Sequence, residues 1–528
     1  MKGLQRISKI RDLSTKNNTW KHKDLFRMLN YDDIWILAYE NLKRNKELFS
    51  SGITNDTMNK MPINRLLRLK NKVITESYTF KSVKRVMISQ LDSRLCPIGH
   101  PTANDKIVQE VIRILLDAIY EPIFSDFNFG FRPGLGYHNA LQHVESNFRW
   151  VDYVLKGDIE QAYPSINYQV LIETCLRKRI SDERFINLIW KFLKCGIMDE
   201  SLFSNTYKDT SQGSIVGPIL INIYYHEFDE WVKLLMTEFC HPQPSLRNAP
   251  YKRIEHKIFK LTNILTKLDK DSSHYRILAK ELRFLRKERL KISSLVSPKL
   301  RIEYVRYANN WMIGIAGDIS LAYDIKSRAT DFIKHHLNQT LNQNKSRIIN
   351  IRKGKVEFLG YDIFLPAKNF VHKYKKQGSK VVQTTKRVNS TLCFDLPQNK
   401  VVKKLKEKGY VAVINNSIRP ISRAGYVYME DHVIVSHFRS LFIGIENYYS
   451  GITRRQRLQY INYLLQMSCA MTLAHKHRSS SSKIFSKYGK DIKVPIPGTN
   501  KFSSYPYKTQ WRLSDRRWLK GLNDINIF

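Results

Sequence analysis

"YVRYANNWMIGIAG", residues 304–317, is the stretch whose reading decides the fold. Apolar runs stand on either side of a short polar pair, Asn309-Asn310, the pattern of two buried strands joined by a tight bend. Asparagine suits such a bend because it tolerates positive φ. A hairpin of this shape can carry a hard metal ion at its tip, but only with carboxylates there, since Mg²⁺ is held mainly by anionic oxygens. This tip offers two neutral side-chain carbonyls instead. Working outward, the question is whether the hairpin is catalytic, formerly catalytic or merely a turn.

Composition narrows the partners. A chain of 528 residues with 42% hydrophobic content is globular and long enough for three or more domains. Lys and Arg number 88 against 47 Asp and Glu, and this net charge of +41, spread along the chain, selects a polyanionic partner, nucleic acid first. No apolar run approaches the roughly 18 residues of a spanning helix, so no membrane is expected. The six cysteines are scattered without a C-x-x-C pair, which excludes a zinc ribbon or finger, argues against a disulfide framework and points to a reducing compartment. The basic start, "MKGLQRISKIRDLSTKNN", reads either as an organelle presequence or as an ordinary first helix.

Four zones follow along the chain. Residues 1–150 mix helical patterns with short β-like runs such as "VKRVMIS". Residues 151–370 alternate apolar strands and helices, interrupted at 232–300 by a Lys/Arg-rich helical insertion whose bland reading is a solvated face. In 371–430, "NKVVKKLKEKGY" is an amphipathic helix ended by Gly409. From 431 helical spacing dominates, and Leu458, Ile461, Leu465, Cys469 and Leu473 form one apolar stripe, read as core.

The motifs are weak singly and specific in series. "VLKGDIEQAYPSI" places Asp158 at the end of an apolar strand with Tyr163 five residues on. "DTSQGSIVGPILINIYYHEFD" sets Ser211-Gln212-Gly213 before an apolar helix. After the hairpin comes "LNQNKSRIINIRKGKVEFLGYDI", with Lys345 and a Phe358-Leu359-Gly360 turn. In this order they resemble the palm of a group II intron reverse transcriptase. Upstream, "GFRPG" at 130–134 resembles the same family's fingers, and downstream "HFRSLFIGIENYYSGITRRQRLQYINYLLQMSCAMTLAHKHRSSSSKIFSKYGKDI" resembles its maturase domain, domain X. The likeness runs from about residue 30 to about 492.

The resemblance implies an α/β (α+β) right-hand polymerase fold: N-terminal extension and fingers over 1–150, palm over 151–370, a helical thumb over 371–430, and a mostly helical domain X with a short tail over 431–528. It also implies roles. Asp158 matches the first metal-binding aspartate, Tyr163 the aromatic residue that crowds the sugar 2′-position, Gln212 a glutamine of the nucleotide pocket and Lys345 a lysine on its far side. Phe358 to Gly360 match the turn that supports the primer end.

Nucleotidyl transfer uses two Mg²⁺ ions roughly 4 Å apart. Where the family's hairpin supplies two aspartates, this chain has Asn309 and Asn310, so Asp158 is left alone and binds Mg²⁺ weakly at best. Asp318, the nearest acid downstream, lies roughly 25 Å from the turn along an extended strand and cannot stand in. The fingers show a second loss. "ISQ" and "CPIG" put Gln90 and Cys96 where the family has a lysine and an arginine for the incoming triphosphate. The expectation is a hairpin kept as architecture after its chemistry has gone.

What remains is RNA binding. Domain X carries Arg439, Arg454, Arg455, Arg457, Lys476, His477, Arg478, Lys483 and Lys487, interleaved with Tyr448, Tyr449, Tyr460 and Tyr463. Cations meet phosphates and aromatics stack on unpaired bases, although Tyr460 and Tyr463, beside the stripe, read better as core. Beyond it, residues 493–528 are shorter than the DNA-binding and endonuclease segments of mobile relatives and contain no cysteine, which argues against mobility. The reading is a maturase that binds a group II intron RNA, the one that encodes it in first place, while the RNA does the splicing chemistry. No cofactor is required for this, and Mg²⁺ enters only if polymerase activity remains. The alternatives are an active RNA-directed DNA polymerase and a basic relic without a client. A homodimer is admitted, and the Lys, Asn, Ile and Tyr bias points to a mitochondrion, with a plastid as the alternative.

Overall fold

A computed structural model describes residues 2–44, 61–81, 83–89, 95–159, 162, 165–195, 197–199, 202–204, 214–239, 247–269, 272–292, 300–342, 344–366, 370–375, 383–388, 391–506 and 516–519. The "VKRVMIS" run is β1 (Val83–Ser89), which pairs antiparallel with β2 (Leu95–His100). The helix Ala103–Tyr120 is buried along most of its length, its polar Asp105, Lys106, Gln109 and Glu110 included.

The palm follows from strict alternation. β3 (Tyr153–Asp158) carries the first motif, and the short β4 (Ile197–Asp199) and β5 (Leu202–Ser204) extend the β1–β2 sheet. β6 (Arg301–Tyr307) and β7 (Asn310–Ala316) are the arms of the opening hairpin, and with β8 (Arg347–Asn350) they form an antiparallel sheet of order β6-β7-β3-β8. Successive side chains point to opposite faces. Leu155, Tyr304, Trp311 and Ile313 therefore join one core, shared with the N-terminal helices and the helix Gly217–Phe239. Val154, Val305, Tyr307 and Met312 join a second core, built with residues from the C-terminal half. Both faces are covered, which is why these strands carry apolar residues on each face.

The helices Ala249–Leu265 and Ser273–Lys291 pack on each other between the palm helix and β6. In these two helices only Ile258 and Leu282 are buried among the described side chains, and the rest are partly or fully exposed.

β9 (Val356–Phe358) and β10 (Tyr361–Phe364) are joined through Leu359 (φ 46°) and Gly360 (φ 71°), a two-residue turn with both residues left-handed. A right-hand polymerase fold followed by a helical C-terminal region is what the chain has. In one respect 371–430 differs from a helical thumb. Its described residues form one α-helix, Gln398–Glu407, a short 3-10 turn at Ala424–Tyr426, and strands that include the antiparallel pairs Phe370–Lys375 with Gln383–Val388 and Val411–Ile414 with Ser417–Pro420. Runs such as "VVQTTKRV" and "VAVI" are rich in β-branched residues, which favour the pleated sheet. Gly409, at φ 71°, does end the helix. Past 431 the helices Asp431–Tyr448, Gln456–Lys476 and Ser481–Tyr488 pack together, and Leu458, Ile461, Leu465, Cys469 and Leu473 are all fully buried as their spacing requires.

Candidate functional site

The hairpin tip is a two-residue turn, Ala308-Asn309, closed by the pair Tyr307 and Asn310. The left-handed residue is Ala308 (φ 54°), contrary to the expectation that an asparagine takes the unusual conformation. An Asn-Asn turn with both residues left-handed exists in this chain, but at Asn415-Asn416. Ala308 is held by its surroundings. The Gly130 backbone lies against it so closely that a Cβ at Gly130 would fall 2.3 Å from the Ala308 nitrogen. The Phe129 N–H donates to the Arg306 carbonyl at 2.9 Å, and the Arg306 N–H to the Phe127 carbonyl at 2.8 Å.

A fully buried guanidinium completes the clamp. Arg306 donates from Nε and Nη2 to the two oxygens of Asp229 at 2.7 and 2.6 Å, and from Nη1 to the Ala308 carbonyl at 3.0 Å and Asn222 Oδ1 at 3.1 Å. Asn222 in turn donates to the Gly130 carbonyl at 2.7 Å. Asn222 and Asp229 stand two turns apart on one face of the palm helix. Burial works against the Arg306 charge, and the Asp229 carboxylate more than offsets this, so the guanidinium pKa is raised. The clamp did not emerge from the sequence reading, which held Gly130 only as part of the GFRPG signature, although the arginine within the apolar "YVRYA" run was an available signal.

Asp158 ends β3 directly opposite Asn310. Its backbone is tied to the 342–346 turn: the Asn342 N–H donates to the Asp158 carbonyl at 2.9 Å, and the Asp158 N–H to Ser346 Oγ at 3.2 Å. The same turn brings Lys345 Nζ to 2.9 Å from Asp158 Oδ2. The lysine expected across a nucleotide pocket therefore neutralises the one carboxylate left. Among the described residues the donors here are one carboxylate already bound to an ammonium and, at the tip, the amides Asn309 and Asn310, a set that does not fit a pair of Mg²⁺ ions. Among the described residues no cluster of three or more His, Cys, Asp or Glu side chains could hold a metal. Asp318 stands at the N-terminal boundary of the helix Ile319–His336, beyond the far end of β7 and away from the tip. Tyr163, Gln212 and Gln90 lie outside the described residues, as does the Cys96 side chain, whose backbone belongs to β2.

The cations of 431–516 divide into two kinds. Arg439, Arg454, Arg478, Lys483 and Lys487 are exposed, the last two on the short helix after the serine run. Arg455, expected among the RNA-binding residues, is instead buried, donating to the Ser450 carbonyl at 2.8 Å and paired with Glu446 at 3.5 Å. It sits at the start of the helix Gln456–Lys476, where an inward side chain holds the preceding turn. Lys476 is half-committed, its ammonium 2.7 Å from Asp431 and 2.7 Å from the Met429 carbonyl. Burial raises the Asp431 pKa, and hydrogen bonds from Lys476 and His477 more than offset this, leaving it lowered.

The aromatics also sort differently from expectation. Tyr448 and Tyr449 are core, and the Tyr448 hydroxyl donates to the Leu359 carbonyl at 2.9 Å, against the turn whose Gly360 leaves room for that ring. Tyr463, read as core, is 51% exposed, while Tyr460 packs partly on the core as expected. His138, which the sequence did not single out, donates from Nε2 to the Tyr448 carbonyl at 2.8 Å and accepts at Nδ1 from the Leu519 N–H at 2.9 Å. It joins the fingers-side helix Tyr137–Asn147, the 431–448 helix and the C-terminal segment.

Comparison with known proteins matches both halves. The family described as reverse transcriptase (RNA-dependent DNA polymerase) matches residues 89–363, and the type II intron maturase family matches residues 389–516. The chain is 31% identical over 487 residues to the group II intron-encoded protein LtrA of Lactococcus lactis, covering 92% of this chain and 79% of that protein. It is 30% identical over 495 residues to an uncharacterized 91 kDa protein in a cob intron of Schizosaccharomyces pombe, covering 92% of this chain but 59% of the relative. It is 28% identical over 440 residues to the uncharacterized mitochondrial protein ymf11 of Marchantia polymorpha, covering 74% of this chain and 56% of that protein.

Proposed function

Since the chain belongs to the group II intron-encoded reverse transcriptase and maturase family, we propose that it is a maturase that binds an intron RNA and stabilises its fold while the RNA performs splicing. The observation that carries this reading is the state of the palm site. Asn309 and Asn310 supply no charge, and the Asp158 carboxylate is paired with Lys345 at 2.9 Å. The hairpin scaffold itself is intact, clamped by Arg306 and Asp229. Selection for polymerase chemistry would keep carboxylates at the tip, whereas selection for a folded RNA-binding body keeps the clamp and leaves the tip free to drift.

The exposed cations of 431–516, with the exposed Tyr463, supply the phosphate and base contacts, and the RNA partner is the host intron. Fingers, palm, thumb and domain X occupy 1–150, 151–370, 371–430 and 431–528. The mitochondrion is the proposed compartment, supported by the likeness to the mitochondrial protein ymf11 of Marchantia polymorpha. Depleting the protein and measuring intron retention is the direct test, and correct splicing without it overturns the reading. Primer extension on an RNA template with Mg²⁺ or Mn²⁺ tests the rival: robust synthesis, abolished by Asp158→Ala, makes this a working polymerase.

A further inference from the structure

The helix Gln456–Lys476 closes in a way common among helices, with one departure. The His477 N–H donates to the Leu473 carbonyl at 2.9 Å and the Ser479 N–H to the Ala474 carbonyl at 2.8 Å, so carbonyls of the last turn are satisfied from beyond the helix. Such a closure puts one residue in the left-handed region, and glycine normally takes that place because a Cβ is strained there. Here the residue is Arg478, at φ 47°. Its side chain is exposed, so packing inside the fold does not offset the strain.

A single carboxylate ties down both sides of this turn. Asp431, the first residue of the helix Asp431–Tyr448, stands 2.7 Å from the Lys476 ammonium and 2.7 Å from His477 Nε2, and it accepts from the Tyr488 hydroxyl at 3.3 Å. Lys476 and His477 precede Arg478 directly, and Tyr488 ends the helix Ser481–Tyr488, which carries Lys483 and Lys487. The Asp431 side chain is only 16% exposed, so these contacts are screened less than those of a surface pair. Lys476 also donates to the Met429 carbonyl at 2.7 Å, and the Ser480 hydroxyl accepts from the Lys483 N–H at 3.4 Å. The segment 476–488 is therefore fastened before Arg478, after it and at its far end. Cations held at set separations match one arrangement of phosphates and lose little freedom on binding it.

We infer that Asp431 is a positioning residue of domain X, holding the 476–488 segment so that Arg478, Lys483 and Lys487 meet a folded intron RNA at set positions. This role rests on the maturase reading above and adds to it the group that makes the basic edge selective. The conformation of Arg478 accords with it, since a glycine there would relax the backbone and supply no cation.

The sign of one substitution tests this in the full chain. Asp431 is a negative charge among cations, so attraction alone predicts that removing it tightens the binding of every RNA. Asp431→Asn is expected instead to weaken intron RNA about tenfold while a fluorescent oligouridylate stays within about twofold of the wild type or binds tighter. Asp431→Glu keeps the charge and should recover most of the intron affinity. Arg478→Gly should raise the melting temperature, because the left-handed backbone is relieved, and still weaken intron RNA. Tighter binding of both RNAs by Asp431→Asn, or equal losses for both, overturns the proposal. A second measurement needs no RNA: acetic anhydride should modify Lys476 more slowly than Lys483 in the wild type, and Asp431→Asn should bring the two rates together. Equal rates in the wild type overturn the proposal. A wild type that binds intron RNA no better than oligouridylate, with Lys476 still slow and released by Asp431→Asn, would sink the maturase reading and leave the Asp431 clamp standing.

Discussion

Around one turn, two charged pairs carry different weights. Arg306 and Asp229 are both fully buried, so Arg306→Ala strands a carboxylate without its countercharge and is expected to cost about 3–5 kcal/mol in a urea or thermal unfolding measurement. The Asp158 pair has a partner whose side chain is 41% exposed, and solvent screens it. Asp158→Ala is therefore expected to cost about 1 kcal/mol or less and to leave splicing support intact. Comparable losses in the two variants would contradict a hairpin kept for its architecture. Asn309→Asp with Asn310→Asp restores two charges opposite Asp158, and primer extension should show a trace with Mn²⁺ at most. Gln90 and Cys96 still leave the triphosphate side without two charged contacts, each worth on the order of 1.5–3 kcal/mol. At about 1.36 kcal/mol per tenfold, these put the repaired protein hundreds to thousands of times below a competent relative. His138 supplies a pH signature. Burial lowers its pKa ahead of its opposing contacts with Tyr448 and Leu519, so the folded state favours the neutral ring. The unfolded chain binds the proton first, and the contribution of His138 is full above about pH 6.5 and declines as pH falls below that. Melting temperature should thus depend less steeply on pH between about 5 and 7 in His138→Gln than in the wild type, and parallel profiles would remove His138 from the account.

At the scale of elements, separating the two kinds of cation is the informative experiment. Changing the exposed Arg454, Arg478, Lys483 and Lys487 to alanine should impair splicing of the client intron while shifting stability by no more than about 0.5 kcal/mol per site. Arg455→Ala alone should instead destabilise by about 1.5–3 kcal/mol, because the Ser450 carbonyl and Glu446 lose a charged donor. Normal splicing with the fourfold variant as the only copy would remove domain X from the RNA contact. Arg454 and Arg455 are indistinguishable as letters, and only the start of the helix between them and Leu458 turns one outward and the other inward. The same limit governs the rest of what the sequence made legible. The palm strands and the 458–473 stripe announce themselves because burial imposes a period on apolar residues. Tyr448 does not, since a tyrosine suits a core and a stacking surface equally well and its partner, the Leu359 carbonyl, lies 89 residues away. Lys345 was placed by motif order near the palm site, but its contact with Asp158 depends on the 342–346 turn, which no local pattern specifies.

For the whole molecule the test is electrostatic. A chain of net charge +41 attracts any polyanion, so affinity alone separates nothing. Salt dependence does, because each neutralised phosphate releases counterions and adds to the slope. Of the exposed domain X cations, Arg454, Arg478, Lys483 and Lys487 are the four changed above. If all four meet phosphates at once, they contribute about −3 to −4 to the slope of log affinity against log salt, at roughly 0.7–0.9 per contact. Raising salt from about 50 to 200 mM should then weaken binding about a hundredfold. A structured intron RNA can present phosphates to all of them together, whereas a short rigid duplex reaches fewer. Intron RNA should therefore show the steeper slope and still outcompete an equal mass of random duplex near physiological ionic strength, where nonspecific attraction is screened over about 8 Å. The check is a competition titration across salt concentrations, repeated with the domain X variant. That variant should flatten the slope for intron RNA toward that of duplex. A single slope shared by both RNAs would mean that charge, and no shaped surface, does the binding, and the chain would then be a basic relic without a client.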